Sequence, residues 1–438
     1  MGGTGTAGLS TSDTRLLQAR VRLRRVVLAV TVANMLEWYD FAVYAFLAQV
    51  IAPIMFPAGD ATASLLLSVG TFGVGFLTRP VGAVVFGTLA DRHGRKFILL
   101  LTFVLMAGST VAIGLIPPFA TLGVLAPLLV VLARLVQGMA AGGAMGGATA
   151  MLAEHAPPGR IGLFASWQGA GQAGALLLGA LAAATASSTL SPEQLADWGW
   201  RIPFLASAAL LPLALYIRRR VEEPEEFVQQ GRAPRSSPLI VLWHTRRAAV
   251  ARGFGITIIW TVATYFFFAY VPLYARTVLH LRMSITLFSN SLALAFMVVL
   301  VPVAGHLSDR LGRYRLMVTA ALAIVVLILP GFDFLLSHPS APALAFFQIV
   351  SAVLAAMFIG PAPAALAELF PVGVRSSGVG LAYNCAVTVF GGFAPLIATG
   401  LVARTGNPLS PTWYVMLSCG LSLLALALTL RTSSTDHG

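Results

Sequence analysis

Four ionisable side chains interrupt long apolar segments of this chain, and their types could do chemistry. Glu37 and Asp40 lie three residues apart in the segment 26–52, and Arg79 and Arg134 lie in later apolar segments. A charge at the centre of a membrane costs about 2.5–3.5 kcal/mol on insertion scales, so each group needs a partner or a function. A buried carboxylate can take up a proton, and a guanidinium offers a fork of donors that matches a carboxylate. The four residues therefore predict proton binding and recognition of an organic acid.

Two interpretations of each group stay open from the sequence. Glu37 and Asp40 fall on one helical face, where either could be locked in an ion pair or carry a transported proton. Arg79 and Arg134 could be the partners of those carboxylates or the groups that bind a polycarboxylate substrate. In a third arrangement, an ion pair holds the empty site and the substrate competes for the arginine. The sequence does not choose between Glu37 and Asp40 as the proton-binding residue.

Neutral polar side chains in the same segments complete a candidate substrate site. Each of them could instead form a hydrogen bond that only holds two packed helices together, and that alternative stays open. Asn34 extends the stripe of Glu37 by one helical turn. With Arg79 and Arg134, the candidate substrate-binding residues are Asn34, Gln137, Gln168, Gln172, Tyr265, Tyr383 and Asn384. The seven histidines show no metal-ligand spacing, so no metal or cofactor is expected.

The elements that position these residues are predicted to be membrane helices. Hydrophobic residues make up 58% of the 438 residues and charged residues only 10%, whereas a soluble domain carries roughly 25% charged residues. Twelve apolar runs are each long enough to cross about 30 Å of hydrocarbon as a helix. They cover residues 26–52, 62–90, 97–116, 122–153, 161–186, 200–217, 253–275, 284–306, 315–331, 342–365, 376–402 and 411–430. The predicted fold class is an all-α membrane protein with twelve transmembrane helices in two six-helix bundles.

Two phrases recur at half of the chain length. Gly87–Lys96 reads GTLADRHGRK, and Gly305–Tyr314, 218 residues later, reads GHLSDRLGRY. A second phrase, which begins at Leu152, is echoed 214 residues later at Leu366. Such repeats in an apolar chain indicate two similar halves, as in secondary transporters. We expect a tail at 1–25, a first bundle at 26–217, a linker at 218–252, a second bundle at 253–430 and a tail at 431–438.

Basic residues are distributed unevenly among the connections between spans. With the N-terminus inside, the inner connections carry 22 Lys and Arg and the outer ones carry 4. This bias places both termini in the cytoplasm and the protein in the plasma (inner) membrane, with the lipid bilayer around it. The net charge of +12 therefore reflects membrane topology. Nucleic-acid binding is excluded, because no basic cluster lies on a soluble face.

The repeated loops have two explanations. Their charges could serve only membrane topology and helix capping. Alternatively, the carboxylate pairs with arginines and with a neighbouring helix end, and forms a cytoplasmic gate that opens and closes during alternating access. We expect the second arrangement, because both copies keep the same charges. The gate would consist of Asp91, Arg92, Arg95, Glu154, Arg160, Asp309, Arg310, Arg313, Glu368 and Arg375.

Several phrases resemble a known family of transporters. The repeated G-x-x-x-D-R-x-G-R loop is the signature of the major facilitator superfamily. NMLEWYDF from Asn34, DWGWRIPF from Asp197 and ELFP from Glu368 resemble the metabolite:proton symporter family. FLTRP from Phe76 and FGGFAP from Phe390 are most similar to its citrate and tricarballylate branch. The resemblance implies a monomeric, proton-coupled symporter, not an enzyme, that imports a small di- or tricarboxylate such as citrate by alternating access, without a cofactor.

The chain departs from the family at one position, and rival functions share parts of its pattern. Relatives usually carry a Glu in the fourth span where this chain has Ala144 and Met145, so proton coupling would rest on Glu37 and Asp40. A symporter of betaine, proline or shikimate would share the family phrases, but the betaine and proline branch tends to have a long C-terminal extension. A proton-driven exporter usually lacks the Glu-Trp-Tyr-Asp phrase. An enzyme would need a nucleophile–base pair or a metal cluster, which the spans do not show.

Overall fold

Helices are the regular elements of the part of the chain that the structure describes. The structure, a computed structural model, describes residues 11–93, 95–208, 212 and 246–435. Within these ranges every regular element is a helix, and no strand occurs. Side chains before residue 27 and most of those in 87–100 lie outside the description. So does most of the linker predicted at 218–252, and its last residues already belong to a helix that begins at Arg247.

We number the spanning helices α1 to α12 in chain order. Several of them contain a short break, which divides the helix into two segments. They are α1 (Thr11–Met55), α2 (Ala61–Leu77 and Arg79–His93), α3 (Arg95–Leu115), α4 (Leu125–Ala141 and Ala144–Glu154), α5 (Ile161–Ala165 and Trp167–Thr189), α6 (described over 201–208), α7 (Arg247–Thr277), α8 (Met283–Leu311), α9 (Arg313–Ser337), α10 (Ala341–Ile359 and Ala362–Glu368), α11 (Val372–Thr405) and α12 (Pro411–Thr435). The first helix thus begins well before residue 26, where the sequence places the start of the first span.

Length, composition and exposure all fit a membrane protein. Within the described ranges, ten helices are long and apolar enough to cross a membrane. Of the other two, α3 is apolar over Leu101–Leu115, and α6 is described only over 201–208. Apolar side chains cover the outside, where Val326 is 68% and Phe346 62% exposed, whereas Arg134 is fully buried. A protein whose solvent is lipid is expected to have this inverted distribution of polarity.

The two halves pack in the same pattern. In the first half α1 lies against α5 and α2 against α4, and the second half forms the equivalent pairs α7–α11 and α8–α10. The halves meet along two seams, between α5 and α8 and between α2 and α11. Each seam joins the fifth helix of one half to the second helix of the other. A centre lined by α1, α2, α4, α5, α7 and α11 lies between the seams.

Glycines let the helices approach closely on both sides of this centre. At Gly138 on α4, an added Cβ would collide with the carbonyl oxygen of Gly75 on α2. At Gly146 on α4, it would collide with the carbonyl oxygen of Ser376 on α11. Small residues at such crossings are the usual means by which membrane helices pack backbone against backbone.

Two helices widen at the level of the centre. α7 contains a π-helical turn at Ala263–Tyr270, and α11 contains one at Val387–Gly391. A π-helical turn re-aims the side chains that follow it, and it is frequent at functional sites. In α7 the turn directs the ring of Tyr265 toward the aromatic rings of α1 and α2.

Candidate functional site

Arg134 is fully buried in α4 and is held by groups of its own half. Its Nη1 donates to Oε1 of Gln137 at 2.8 Å, and its Nη2 donates to the carbonyl oxygen of Phe72 at 3.3 Å. The guanidinium carbon lies 4.6 Å from the ring centroid of Tyr44 and 4.8 Å from that of Phe41. The Nε atom has no hydrogen-bond partner among the described residues. Aromatic faces thus supply part of the negative potential that a buried guanidinium needs.

Arg79 begins the second segment of α2 and lies in an aromatic cage formed by Trp38, Phe41 and Phe76. Its guanidinium carbon is 4.5, 4.9 and 5.0 Å from the three ring centroids, in that order. The side chain is buried, and its Nε and Nη1 atoms have no hydrogen-bond partner in the part of the chain that the structure describes. Buried donors of a charged group are costly to leave unbonded. These two atoms are therefore candidate donors to a bound anion.

Phe41 brings the two arginines together. Both guanidinium carbons lie within 5 Å of the centroid of its ring, so less than about 10 Å separates them. Among the ion pairs of the described residues, none joins Asp40 to Arg79 or Arg134. For Asp40, the salt bridge that the sequence left open is therefore not the arrangement observed.

Asp40 and Glu37 are both buried on α1, beside one small cavity between α1, α3 and α6. Asp40 accepts a hydrogen bond from the hydroxyl of Ser207 on α6 at 2.7 Å. The wall of the cavity is formed by Leu36, Glu37, Asp40, Phe103, Met106, Ala107 and Ser207. A neutral hydroxyl can bond to Asp40 in its protonated or its charged form. Both carboxylates remain candidates for proton binding.

Asn34 on α1 and Gln168 on α5 form two hydrogen bonds with each other. Gln168 Nε2 donates to Oδ1 of Asn34 at 2.9 Å, and Asn34 Nδ2 donates to the main-chain oxygen of Gln168 at 2.9 Å. Trp38 Nε1 also donates to Asn34 Oδ1, at 3.0 Å. Gln168 Nε2 also contacts the sulfur of Met145 on α4. This pair holds Trp38, a wall of the aromatic cage, in place.

Gln172 connects the two halves at the centre. Trp260 Nε1 on α7 donates to its Oε1 at 3.1 Å, and its Nε2 donates to the hydroxyl of Tyr383 on α11 at 3.5 Å. The rings of Trp260 and Tyr383 pack with centroids 5.0 Å apart. Next to them, Asn384 donates to the carbonyl oxygen of Gly142 on α4 at 2.8 Å. A ligand between the halves would meet or displace these contacts.

Tyr265, on α7 of the second half, contacts the aromatic rings that surround the arginines. Its ring contacts Trp38, Phe72 and Phe76, with centroids 5.4 to 6.2 Å apart. Its hydroxyl is buried and has no hydrogen-bond partner among the described residues. A second small cavity between the halves is lined by Trp38, Phe41, Ala42, Ala45, Phe72, Gln172, Leu176, Thr264, Tyr265 and Ala269.

The sequence reasoning missed the aromatic walls of the site. Trp38, Phe41 and Tyr44 are spaced by three residues on α1 and share one helical face, and Phe72 and Phe76 are spaced by four on α2. This periodicity was available in the sequence, but apolar helices contain many aromatic residues. Trp260, Thr110 and Ser207, which contact the predicted residues, were also missed. Their partners lie on helices that are distant in the chain.

At one end of the molecule, which we term the Asp309 face, charged groups join the halves. Asp309 accepts hydrogen bonds from the main-chain N–H groups of Gly162 at 2.7 Å and of Leu163 at 3.0 Å, at the start of α5. Arg375 on α11 pairs with Glu154 on α4 at 3.1 Å. A carboxylate at a helix N-terminus is stabilised by the free N–H groups and by the helix dipole. Both contacts cross between halves.

The other predicted gate residues differ in their environment. Arg313 bridges Asp309, at 3.4 Å, and Glu368. Arg160 and Arg310 are exposed, and no ion pair of the described residues includes them. The predicted gate residues of the first repeat lie outside the described side chains: Asp91, Arg92 and Arg95.

Comparison with known proteins places the chain in a family. The family model of the Major Facilitator Superfamily matches residues 30–329 and 290–437. The chain belongs to this superfamily. It is thus a multi-pass membrane protein of a transporter family, as the repeated loop signature predicts.

Relatives with curated descriptions are similar over most of the chain. The citrate-proton symporter of Salmonella typhi is 36% identical over 402 residues, which cover 91% of this chain and 93% of the relative. The alpha-ketoglutarate permease of Escherichia coli K12 is 34% identical, with 94% and 95% covered. The proline/betaine transporter of Salmonella typhimurium is 32% identical, with 92% and 82% covered. The predicted resemblance to the metabolite:proton symporters and their citrate branch is confirmed, and similarity to these symporters supports proton-coupled transport.

A solved structure shows the same fold. The proton:xylose symporter XylE, bound to 6-bromo-6-deoxy-D-glucose, has a TM-score of 0.73 and 17% sequence identity, with 93% of this chain and 95% of that chain covered. The prediction of twelve transmembrane helices in two six-helix bundles is confirmed.

Proposed function

We propose that this protein is a proton symporter that imports a small di- or tricarboxylate, with citrate as the best candidate. One observation carries the proposal: two fully buried guanidiniums, Arg79 and Arg134, face the meeting point of the halves with donor atoms that lack hydrogen-bond partners in the described part of the chain. Two fixed positive charges in a dry site attract an anion with more than one carboxylate.

The surroundings of the arginines favour an anion over a neutral solute. Aromatic faces hold each guanidinium without neutralising its charge, since a ring carries a quadrupole and no net charge. None of the ion pairs among the described residues includes Arg79, so a carboxylate could bind it without displacing such a partner. Tyr265 adds a hydroxyl donor from the second half, so that one substrate would be held by both halves.

Proton coupling rests on the two carboxylates of α1. Asp40 has a neutral partner in Ser207 and lies beside a small cavity with Glu37. A proton on one of these groups would remove a negative charge from the vicinity of the arginines and would strengthen their attraction for the substrate. This order of events couples a proton to each transport cycle through charge balance alone.

Alternating access would use the contacts of the Asp309 face as a cytoplasmic gate. The two bundles, 26–217 and 253–430, would rock about the linker at 218–252. With the contacts of Asp309 and Glu154 formed, that face is closed, and the substrate would reach the centre from the opposite side. Release would require both contacts to break. The excess of basic residues on this face supports a cytoplasmic location for the face and for both termini. The transporter would act as a monomer in the inner membrane.

A zwitterion such as betaine or proline is the second candidate substrate class. The proline/betaine relative, 32% identical, favours it. A quaternary ammonium group binds aromatic faces, but in this site those faces are already occupied by the guanidiniums of Arg79 and Arg134. Two positive charges would repel the ammonium group, so the carboxylate remains the better fit. A proton-driven exporter is the third possibility.

Uptake of labelled citrate into proteoliposomes with an imposed pH gradient tests the proposal. We expect accumulation above equilibrium when the lumen is alkaline, and competition by other di- and tricarboxylates. Betaine, proline and shikimate, added in excess, should compete poorly. The absence of citrate uptake together with tight betaine binding would refute the carboxylate assignment.

A further inference from the structure

The carbonyl oxygen of Phe268, in the π-helical turn of α7, lacks the donor that an α-helix would provide. In an α-helix each carbonyl oxygen accepts from the N–H group four residues later. For Phe268 that residue is Pro272, which has no N–H group. Phe268 is fully buried in the turn Ala263–Tyr270, so its carbonyl oxygen needs a donor from another group.

A side-chain amide of α8 supplies a donor to this oxygen. Asn290 Nδ2 donates to the carbonyl oxygen of Phe268 at 3.0 Å, and Asn290 Oδ1 accepts from Nε2 of Gln348 on α10 at 3.2 Å. Both amides are fully buried. A carbonyl oxygen can only accept, so the Asn290 side chain must present its NH₂ group to α7 and its oxygen to Gln348. Gln348 thereby fixes the orientation of Asn290.

The bond from Asn290 ties the turn to its surroundings in a way that ring packing does not. Among the hydrogen bonds of the described residues, no other side chain of a neighbouring helix bonds to the main chain of Ala263–Tyr270. The hydroxyl of Thr264 bonds within α7 itself. The rings of Phe266 and Phe332 pack with centroids 5.7 Å apart. Ring packing has weak directional preference, whereas a hydrogen bond weakens steeply with its angle.

The ring of Tyr265 has little room to compensate for a shift of this turn. On one side it contacts the aromatic rings of α1 and α2. On another side it lies against Gly391 of α11, where an added Cβ would come within 2.8 Å of its Cδ2 atom. The main chain of α7 therefore decides where the Tyr265 hydroxyl lies. Asn290 bonds to that main chain at Phe268, three residues further along.

We propose that Asn290 is a positioning residue, which holds the π-helical turn of α7 so that the Tyr265 hydroxyl can bond to the substrate. The inference rests on the proposed function, in which Tyr265 supplies a donor from the second half. Asn290 does not need to touch the substrate, because its amide is bonded to Phe268 and Gln348. Loss of the amide would let the turn relax and displace the hydroxyl, and a displaced or tilted donor forms a weaker bond.

Asn290→Leu is the variant that tests the inference, and Ser291→Ala is its control. Leucine is close to asparagine in size but neither donates nor accepts a hydrogen bond. Ser291, the next residue of α8, is also buried, and its hydroxyl donates to the carbonyl oxygen of Leu287 at 2.8 Å, within α8 itself. Ser291→Ala thus removes a buried polar group from α8 and leaves the contact with α7 intact. It should bind citrate like the wild type.

A double-mutant cycle with Tyr265→Phe shows whether Asn290 acts through the tyrosine hydroxyl. Isothermal titration calorimetry of the purified proteins measures the affinity for citrate. In the wild-type background, Asn290→Leu should lower this affinity about 5- to 10-fold, as loss of the hydroxyl itself should. In the Tyr265→Phe background, the same change should lower it at most about twofold, because two residues that act through one interaction are not additive.

Hydrogen exchange of the main-chain amides of α7 gives a second result, which needs no substrate. Without the bond from Asn290 to Phe268, the turn should open more often. Mass spectrometry should therefore find exchange in residues 263–277 at least about threefold faster in Asn290→Leu than in the wild type. Ser291→Ala should exchange like the wild type in this segment.

The outcomes separate the inference from the proposed function. An equal loss of affinity from Asn290→Leu in both backgrounds would leave Asn290 a structural role only and overturn the inference. Unchanged affinity, unchanged exchange in 263–277, or a Tyr265→Phe variant that binds citrate like the wild type would also overturn it. If Asn290→Leu does not insert, Gln348→Leu, which removes the group that orients Asn290, enters the same cycle under the same criteria. A wild type that binds no citrate would instead refute the proposed function, and hydrogen exchange would still decide whether Asn290 holds the turn.

Discussion

Arg79 places its guanidinium carbon 4.5 Å from the ring centroid of Trp38. This cation–π contact, worth about 2 kcal/mol or more when desolvated, stabilises a buried charge that takes part in none of the ion pairs found among the described residues. Trp38 is itself held by the amide of Asn34. The arrangement orients Arg79 and leaves its Nε and Nη1 atoms without hydrogen-bond partners among the described residues, so that they can donate to an anion.

Replacement of Arg79 by lysine should weaken citrate binding. The Arg79→Lys variant keeps the positive charge but loses the fork of donors and the planar group that stacks on the cage. A hydrogen bond to a charged group contributes about 1.5–3 kcal/mol, so the dissociation constant for citrate should rise about 10- to 150-fold. Isothermal titration calorimetry of the purified protein measures it.

Arg404→Lys is the matched control for this substitution. Arg404 is exposed at the end of α11 and should tolerate lysine without a change in affinity. Equal citrate affinity in Arg79→Lys and Arg404→Lys would remove Arg79 from the site.

Removal of the Tyr265 hydroxyl should cost affinity but not stability. The hydroxyl has no partner among the described residues, so Tyr265→Phe removes none of the hydrogen bonds that those residues form in the unliganded protein. If the hydroxyl bonds to the substrate, citrate affinity should fall about 5- to 10-fold. Tyr274→Phe, which loses a bond to the carbonyl oxygen of Pro408, should show the opposite pattern: a lower melting temperature with unchanged affinity.

Asp40→Asn should separate transport from the proton gradient. Asparagine mimics the neutral carboxyl group but cannot gain or lose a proton, so gradient-driven accumulation should disappear and citrate exchange should persist and lose its pH dependence. Asp333→Asn, at an exposed position of α9, is the control. The same measurements on Glu37→Gln decide which carboxylate of α1 is essential. Full accumulation in Asp40→Asn would assign proton binding elsewhere.

The Glu154–Arg375 pair should bias the molecule toward closure of the Asp309 face. The pair is partly exposed, and such pairs contribute about 0.2–1 kcal/mol, which corresponds to a population change of at most about fivefold. Glu154→Ala should therefore increase the fraction open on this face by that factor. Spin labels at the exposed positions Arg160 and Val372, with both native cysteines replaced, measure the distance across the face. The charge reversal Glu154→Arg with Arg375→Glu should restore closure, and a failure to do so would argue against a gate.

Much of the fold could be predicted from the sequence, because a lipid environment restricts the secondary structure that an apolar segment can adopt. In lipid, an apolar run of about 20 residues has little alternative to a helix, and the loop repeated at Asp91 and Asp309 shows the duplication. The repeat also suggested that a carboxylate meets a helix end, which is what Asp309 does at Gly162. Contacts of this type recur because every helix has free N–H groups at its start.

The sequence predicted the charged residues of the site but not the side chains that contact them. Arg79, Arg134 and Asp40 stand out because buried charge is expensive, but the sequence carries no record of what lies opposite them. Asp40 bonds to Ser207, which is 167 residues away, and such pairing depends on how the helices pack. The aromatic cage was overlooked because Trp38, Phe41 and Phe76 are as suitable for a lipid-facing surface as for a wall around arginine. The sequence also allowed an ion pair between Asp40 and Arg79 or Arg134. The helices pack in a way that does not form this pair among the described residues.

The movement of protons together with citrate can be measured in proteoliposomes that start without a pH gradient. A pH-sensitive dye in the lumen reports protons, and labelled citrate reports the substrate. Citrate added outside should acidify the lumen in fixed proportion to citrate uptake. Asp40→Asn should abolish this acidification, and Arg79→Lys should require a higher citrate concentration to produce it. Citrate uptake at the wild-type rate without acidification, or no citrate uptake while betaine enters with protons, would contradict the proposed proton symport of citrate.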